Sequence, residues 1–383
     1  MPGLSGVAIP ADRPIRVLLT TPPTSRRGGV TNYLHALRPY FRNSVQYFPI
    51  GSRCDNEGIA TAVLRLLRDS WRFARMLRRG SYDIVHLNPS IGLKALLRDG
   101  ILLVIAKTLH KAVIVFAHGW DDACERILAK RLSRLFRLVY GRADVFIVLG
   151  SGFKKRLRLL GYDRAVFVQG APVDDDLVRD SQRRRLRTCA GVRPSFNILF
   201  LARVEKKKGI YEALDTYRIV KQTHPFVSLT VAGDGPELTR AVQYARGQHL
   251  DGVVFTGHVE GTAKYEVFKT ADAYLFPSHT EGLPISVLEA MAYGLPVVTR
   301  AVGGLADFFQ DGTMGFITES RDPQVFASML SRLVGDPSLR SSISVFNWKY
   351  ARHQFTASQV AAGLEGIYRF VLGGADSAFL RAA

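Results

Sequence analysis

The stretch AYLFPSHTEGLPISVLEAMAYGLPVVT, Ala273–Thr299, contains one complete α/β unit. Ala273–Phe276 has the composition of a buried strand and stops at Pro277. A polar loop follows, and Pro284 stands where the first turn of a helix accepts a residue without an amide hydrogen. Helical spacing runs to about Tyr293; Gly294 gives the stop, and Pro296 opens a second apolar strand ending at Thr299. Strand, helix and strand in this order predict a parallel sheet. Two carboxylates mark the unit: Glu281 in the loop, and Glu289 in the helix among Val287, Leu288, Ala290 and Met291. An unpaired carboxylate in such surroundings is costly, so Glu289 requires hydrogen-bond donors. The two hydroxyls of a sugar diol would supply them.

The same alternation extends in both directions. Strands are expected at 15–20, 84–87, 113–117, 145–149 and 166–168, and again at 197–202, 227–232 and 253–256. Helical segments lie between them, and a last one spans 357–372. A polar, Arg-rich stretch, SQRRRLRTCAGVRP (Ser181–Pro194), interrupts the pattern and reads as a domain boundary. The expected organisation is a Rossmann-like domain over 1–190, a second over 191–355, and a C-terminal helical region, 356–383, packing back on the first. The fold class is therefore α/β, two doubly wound domains facing across a cleft, with ligands at the carboxyl ends of the strands.

Composition narrows the function. The chain has 383 residues, 47% of them apolar and 22% charged, enough for two globular cores. No apolar window is long enough to cross a bilayer. The start, MPGLSGVAIPADRP, lacks the basic and apolar blocks of a secretory leader, and Cys54, Cys124 and Cys189 have no metal-like spacing. A reducing, cytoplasmic setting is expected. The net charge of +19 is uneven: residues 1–180 hold 29 Lys/Arg against 15 Asp/Glu. Such an excess points to a polyanionic partner. Arg65, Arg68, Arg72, Arg75 and Arg79 step at helical spacing along one stripe; further clusters lie at Lys130–Arg142 and Lys154–Arg158. They read either as solvated faces of packed helices or as a surface for anionic lipid.

Four loops after strands could hold phosphate. RRGGVTNYLHAL (Arg26–Leu37) brings Gly28-Gly29 to a helix start, which suits a bound anion or a plain turn equally. In LFLARVEKKKGIYEAL (Leu199–Leu214), Arg203 and Lys208 are two cations at one strand end, able to neutralise a diphosphate. Lys206 and Lys207 read as solvated. VAGDGPEL (Val231–Leu238) has a lone G-x-G and reads as a structural turn. The fourth is the Glu281 loop.

These residues, in this order over roughly 15–370, resemble the family 4 retaining, nucleotide-sugar-dependent glycosyltransferases of the GT-B fold. The resemblance rests on the E-x7-E pair Glu281/Glu289, Arg203 with Lys208-Gly209, Gly28-Gly29, AGDGPE (Ala232–Glu237), TGHV (Thr256–Val259) and Gly303-Gly304. It implies that Arg203 and Lys208 hold the donor diphosphate and that Glu289 accepts the ribose hydroxyls. Glu281 would lie near the transferred sugar, with the backbone of Gly282, Leu283 and Pro284 on sugar and phosphate. Gly28-Gly29 would approach the phosphate from the first domain, and the backbone near Val259 would meet the base. His118, in AHGWDD after the strand at 113–117, matches an active-site histidine; a strand-end cap is its bland reading. Gln169-Gly170 and Asp307 depart from the family's usual Asn-Gly and Glu and leave the sugar open.

The implied reaction is retaining hexosyl transfer by same-face attack, without a covalent intermediate, metal or cofactor beyond the donor substrate. The implied partners are a nucleotide-sugar, a glycan or lipid-linked acceptor held by the first domain, and an anionic membrane surface on the cytoplasmic side. Cell-surface polysaccharide or glycolipid synthesis would be its setting. The D-x-D at Asp174–Asp176 lies away from the phosphate loops and reads as a turn, not a metal site. A nucleotide-sugar epimerase of the same fold is an alternative, as is a basic nucleic-acid-binding module. The latter leaves Glu289 and the phosphate loops without a purpose, so no nucleic-acid partner is expected.

Overall fold

The computed structural model describes residues 13–23, 28–52, 57–89, 92–188 and 195–373, with the side chains of 182–188 outside the description. Cys54 and Cys189 fall outside it, as does Arg26 of the first phosphate loop. The chain divides into two compact units. One runs to Pro172 and resumes at Ala357; the other is Val173–Thr356.

The first unit carries a six-stranded sheet in the order β2-β1-β3-β4-β5-β6, parallel throughout. Its strands are β1 (Arg16–Thr21), β2 (Ser44–Pro49), β3 (Ile84–Leu87), β4 (Ala112–Ala117), β5 (Val145–Val148) and β6 (Ala165–Val168). β3 and β5 are buried over their whole length, as strands are when helices cover both faces of a sheet; β5 is an unbroken apolar run, and β3 is apolar but for His86. β2 escapes the sequence reading because it is an edge strand with alternating exposure and a terminal proline.

The second unit carries β7 (Phe196–Leu201), β8 (Val227–Ala232), β9 (Val253–Gly257), β10 (Ala273–Phe276), β11 (Val297–Arg300) and β12 (Gly315–Thr318). Their order, β12-β11-β10-β7-β8-β9, is also fully parallel. The strand direction of travel reverses between β7 and β10. That switch point leaves a crevice beyond the carboxyl ends of these two strands.

The boundary lies earlier than the Arg-rich stretch suggests. The helix Asp175–Thr188 runs through most of that stretch and packs on two helices of the second unit, Gly261–Thr270 and Ile285–Ala292. Tyr293 Oη donates to Asp180 at 2.7 Å, and Trp348 Nε1 to Ser181 Oγ at 3.2 Å. Composition marked a polar surface there, and the surface belongs to a helix rather than to a linker.

The last helix, Ala357–Val371, belongs to the first unit. Its buried Glu365 accepts from the amides of Arg42 (2.6 Å) and Asn43 (2.8 Å), and Tyr368 Oη meets His86 Nδ1 at 2.8 Å. The chain thus leaves the first unit at Pro172 and re-enters at Ala357, with the Val173 amide bonded to the Phe355 carbonyl at 2.6 Å.

Candidate active site

The switch point of the second unit gathers the loop after β7 and the loop after β10. Gly209 starts the helix Ile210–Thr223 with φ of 79°, and a Cβ there would lie 2.3 Å from the Pro277 carbonyl oxygen. Only glycine allows the two loops to touch. Lys208, the residue before it, is thereby delivered to Glu281: Nζ to Oε1 is 2.6 Å. Ser278 Oγ donates to the same oxygen at 2.7 Å, and the His279 amide bonds to the Lys207 carbonyl at 2.9 Å. Both side chains of the Lys208–Glu281 pair are largely shielded, at 22% and 11% exposure. The loop is held from its other side by Gly303, with φ of 56°, where a Cβ would fall 2.1 Å from the Gly282 carbonyl oxygen. The Gly304 amide donates to that carbonyl at 2.8 Å.

Gly282, Leu283 and Pro284 lead directly into the helix Ile285–Ala292, whose N-cap, Pro284, provides no side-chain hydrogen bond. Its first turn is anchored by Tyr274, which donates to the Leu201 carbonyl (2.8 Å) and lies 2.7 Å from Ser286 Oγ. One phenol therefore ties β10, β7 and the helix start together. Burial pushes the Tyr274 hydroxyl far above its ordinary value, so it stays protonated.

Glu289 is buried on this helix, and its donor is a protein group: Lys264 Nζ, 2.5 Å from Oε1. The donor that Glu289 requires is thus supplied, for one of its oxygens, from within the protein. Lys264 stands on the helix Gly261–Thr270, which begins just after Val259 and the end of β9. Nothing in its local sequence singles it out; a search for a cation able to reach a buried glutamate from a neighbouring helix would have found it.

Arg203 follows β7, but it is 69% exposed and turns to Glu205, Nε to Oε1 2.9 Å. Lys207 meets the other oxygen of Glu205 at 3.0 Å. Lys208, Glu281 and the 282–284 backbone therefore form one cluster, Lys264 and Glu289 a second between the helices Gly261–Thr270 and Ile285–Ala292, and Arg203 follows β7. The G-x-G turn supports this framework: the Gly235 Cα sits so close to Val204 that a Cβ would meet its carbonyl oxygen at 2.4 Å. Asp174 Oδ1 accepts from the Asp176 amide at 2.9 Å, at the start of its helix.

The first unit has its own switch point, between β1 and β3. His118 follows β4; its Nε2 is 2.8 Å from Asn88 Oδ1, and Asn88 is bound in turn to Thr20 at the end of β1. Phe116 stacks on the His118 ring at 4.0 Å, and Tyr33 meets it edge-on at 4.9 Å. Loss of solvation, reinforced by the neighbouring His86, lowers the His118 pKa to about 3. His118 is a neutral imidazole at physiological pH. Sequence reading missed Asn88, although a polar residue closing a buried strand is a usable signal. Gly28 caps the helix Gly29–Leu37 with extended backbone, and among the described residues no atom lies within 4 Å of where a Cβ would stand on Gly28 or Gly29.

Two six-stranded parallel sheets, each wound on both faces and each with side chains gathered at a switch point, define the GT-B class. Residues 193–347 match the model described as "Glycosyl transferases group 1", and residues 27–177 match "Glycosyltransferase Family 4". The chain belongs to this glycosyltransferase family. It is 32% identical over 142 residues to glycogen synthase of Mycobacterium tuberculosis, a match covering 37% of this chain and 34% of that protein. It is 27% identical over 325 residues to D-inositol 3-phosphate glycosyltransferase of Acidothermus cellulolyticus, covering 79% and 70%. Among solved structures, Anabaena HepE in complex with UDP-glucose superposes with a TM-score of 0.70 at 17% identity, covering 92% of this chain and 99% of that one, a likeness of fold. Among the described residues no helix is long and apolar enough to cross a membrane.

Proposed function

We propose that this protein is a retaining hexosyltransferase that moves a sugar from a nucleoside-diphosphate sugar to a glycan or lipid-linked glycan, in cell-surface polysaccharide or glycolipid synthesis. The observation that carries the reading is the shielded Lys208–Glu281–Ser278 cluster at the β7/β10 switch point, one helical segment from buried Glu289. Glycosyl transfer builds positive charge on the sugar ring and negative charge on the departing diphosphate. Lys208, Arg203 and the start of the helix Ile285–Ala292 stabilise the negative side, which gives the leaving group its counter-charge without a metal. Arg203 rotates from Glu205 to the diphosphate; its exposure leaves it free to do so. Glu289 accepts the ribose hydroxyls through the oxygen that Lys264 does not hold, and the backbone near Val259 meets the base. Glu281 and the 282–284 backbone face the transferred sugar. In the first unit, His118 and the open Gly28-Gly29 helix start are the groups offered to substrate.

Attack from the face that the leaving group departs retains configuration without a glycosyl-enzyme. A thermal-shift panel of UDP-, GDP- and ADP-sugars, repeated with Arg203→Ala and Glu289→Ala, tests the donor reading. It fails if no nucleotide-sugar stabilises the wild-type protein. A trapped Glu281–sugar adduct would contradict same-face attack, and product formed without any acceptor would favour an epimerase.

We also propose a peripheral position on the cytoplasmic face of a membrane. The helix Ile59–Arg79 exposes Ile59 (86%), Val63 (52%), Leu67 (63%) and Trp71 (61%) at four-residue spacing, so they line one stripe. Exposed Arg68, Arg72, Arg75 and Arg79 run beside it. An apolar stripe bordered by cations suits an anionic bilayer interface. Absence of flotation with anionic liposomes at low salt would remove this part of the proposal.

A further inference from the structure

Asn88 is almost fully buried, and its backbone amide and both ends of its side-chain amide have partners in the first unit. Its backbone amide donates to Thr20 Oγ1 at 3.0 Å, and its side-chain Nδ2 donates to the Thr20 carbonyl at 2.8 Å, with the His86 carbonyl at 3.5 Å. With Nδ2 turned towards two carbonyl oxygens, the amide cannot be flipped without setting acceptor against acceptor. Oδ1 is therefore the atom 2.8 Å from His118 Nε2. An amide oxygen only accepts, so Nε2 must carry the proton. Phe116 stacks on one face of the ring, and Tyr33 meets it at a steep angle. Among the described residues no hydrogen bond engages Nδ1, which keeps its lone pair for a ligand.

We infer that Asn88 is a positioning residue: it locks His118 in the Nε2–H tautomer and so presents Nδ1 as an acceptor for a substrate hydroxyl. This rests on the reading of His118 as a substrate-contacting group. It adds a selection rule, because a neutral acceptor nitrogen welcomes a sugar hydroxyl and repels a phosphate oxygen. The titratable groups packed around the ring are His86 and Tyr33, both uncharged in this setting: burial lowers His86 to about 3 and raises Tyr33 well above its ordinary value. Among the described residues, no charged group acts on the ring to hold an imidazolium.

The tautomer can be read without substrate. In full-length protein carrying ¹⁵N-labelled histidine, with the signal assigned by its loss in His118→Gln, His118 should show a protonated Nε2 and an unprotonated Nδ1 at neutral pH. An Nδ1–H tautomer, or a ring that titrates with an ordinary histidine pKa, would overturn the inference whether or not the protein proves to be a glycosyltransferase. Asn88→Asp keeps the shape and the acceptor facing His118 but sets its second oxygen against the Thr20 carbonyl, so its folding is checked first by melting; in the folded variant the tautomer should persist while the new carboxylate raises the His118 pKa. With the donor identified by the thermal-shift panel, turnover of Asn88→Asp should then fall on acidification in a window where wild type is flat, because protonated Nδ1 no longer accepts. Asn88→Leu should lose the tautomer preference and about tenfold in kcat/KM, the effect of one misplaced hydrogen bond. Unchanged histidine signals in both variants would also overturn the inference. If the signals behave as stated and no nucleotide-sugar binds, the tautomer lock stands and the proposed activity fails.

Discussion

Removing Lys264 is the sharpest test of how the second unit is held together. Glu289 is 7% exposed on its side chain and Lys264 26%. Breaking a fully buried pair by deleting one partner costs about 3–5 kcal/mol, whereas an exposed pair contributes less than about 1 kcal/mol. With one partner buried and the other partly wet, Lys264→Ala should cost about 2–3 kcal/mol. At about 2–4 °C per kcal/mol for a domain of this size, the melting transition should drop by about 5–10 °C. Trp348 is the second unit's tryptophan, so fluorescence in a Trp71→Phe/Trp120→Phe background follows that unit. Glu289→Gln should cost less, about 1 kcal/mol, because an amide leaves no buried charge and Lys264 can turn to water. The double variant should then be less destabilised than the sum of the singles, by about 1–2 kcal/mol. A shift below about 1 °C for Lys264→Ala, or strict additivity in the double variant, would show that the Lys264–Glu289 pair does not help to hold the unit together.

Lys208→Met should lower kcat/KM about a hundredfold through loss of charge at the leaving group, and should also lower the melting transition, because shielded Glu281 is left, among the described residues, with only Ser278 as a donor; steady-state kinetics with the active donor and a thermal melt would show both. Gly303→Ala forces a side chain into left-handed backbone and against the Gly282 carbonyl, and should cost about 2–3 kcal/mol in a urea melt while also impairing donor binding. Acid should destabilise the first unit through His86, whose folded pKa of about 3 lies below the ordinary 6.5. Between those values the unfolded chain binds a proton that the folded chain refuses, so this stability is complete above pH 6.5 and is lost as pH falls. From pH 6.5 to 5 the loss from His86 should be about 2 kcal/mol; His118, with a folded pKa also of about 3, titrates in the same window, so His86→Asn should remove about half of the pH dependence of the urea midpoint.

Much of this molecule was legible from residue order. The strand cores were, because buried parallel strands are unbroken apolar runs; β2 and β12 were not, being a half-exposed edge and a four-residue strand opened by Gly315. Gly209 and Gly303 were readable as loop glycines, but the carbonyls that demand them come from chain far away. The two glutamates stood out because acids among apolar residues are anomalous. Lys264 and Asn88 did not, since a lysine on a helix and an asparagine before a proline are ordinary until folding sets them beside Glu289 and His118. Glu205 likewise gave no sign that it would draw in Arg203.

The final helix has a consequence for how the protein is made. Its Glu365 and Tyr368 satisfy the amides of Arg42 and Asn43 and the ring of His86, groups synthesised near the start of the chain. At translation rates of about 5–20 residues per second, the ribosome spends on the order of ten to forty seconds making the intervening second unit. Throughout that interval the nascent first unit keeps open the trough that the helix will fill. The second unit, complete in its own stretch of chain, can finish folding before its predecessor does.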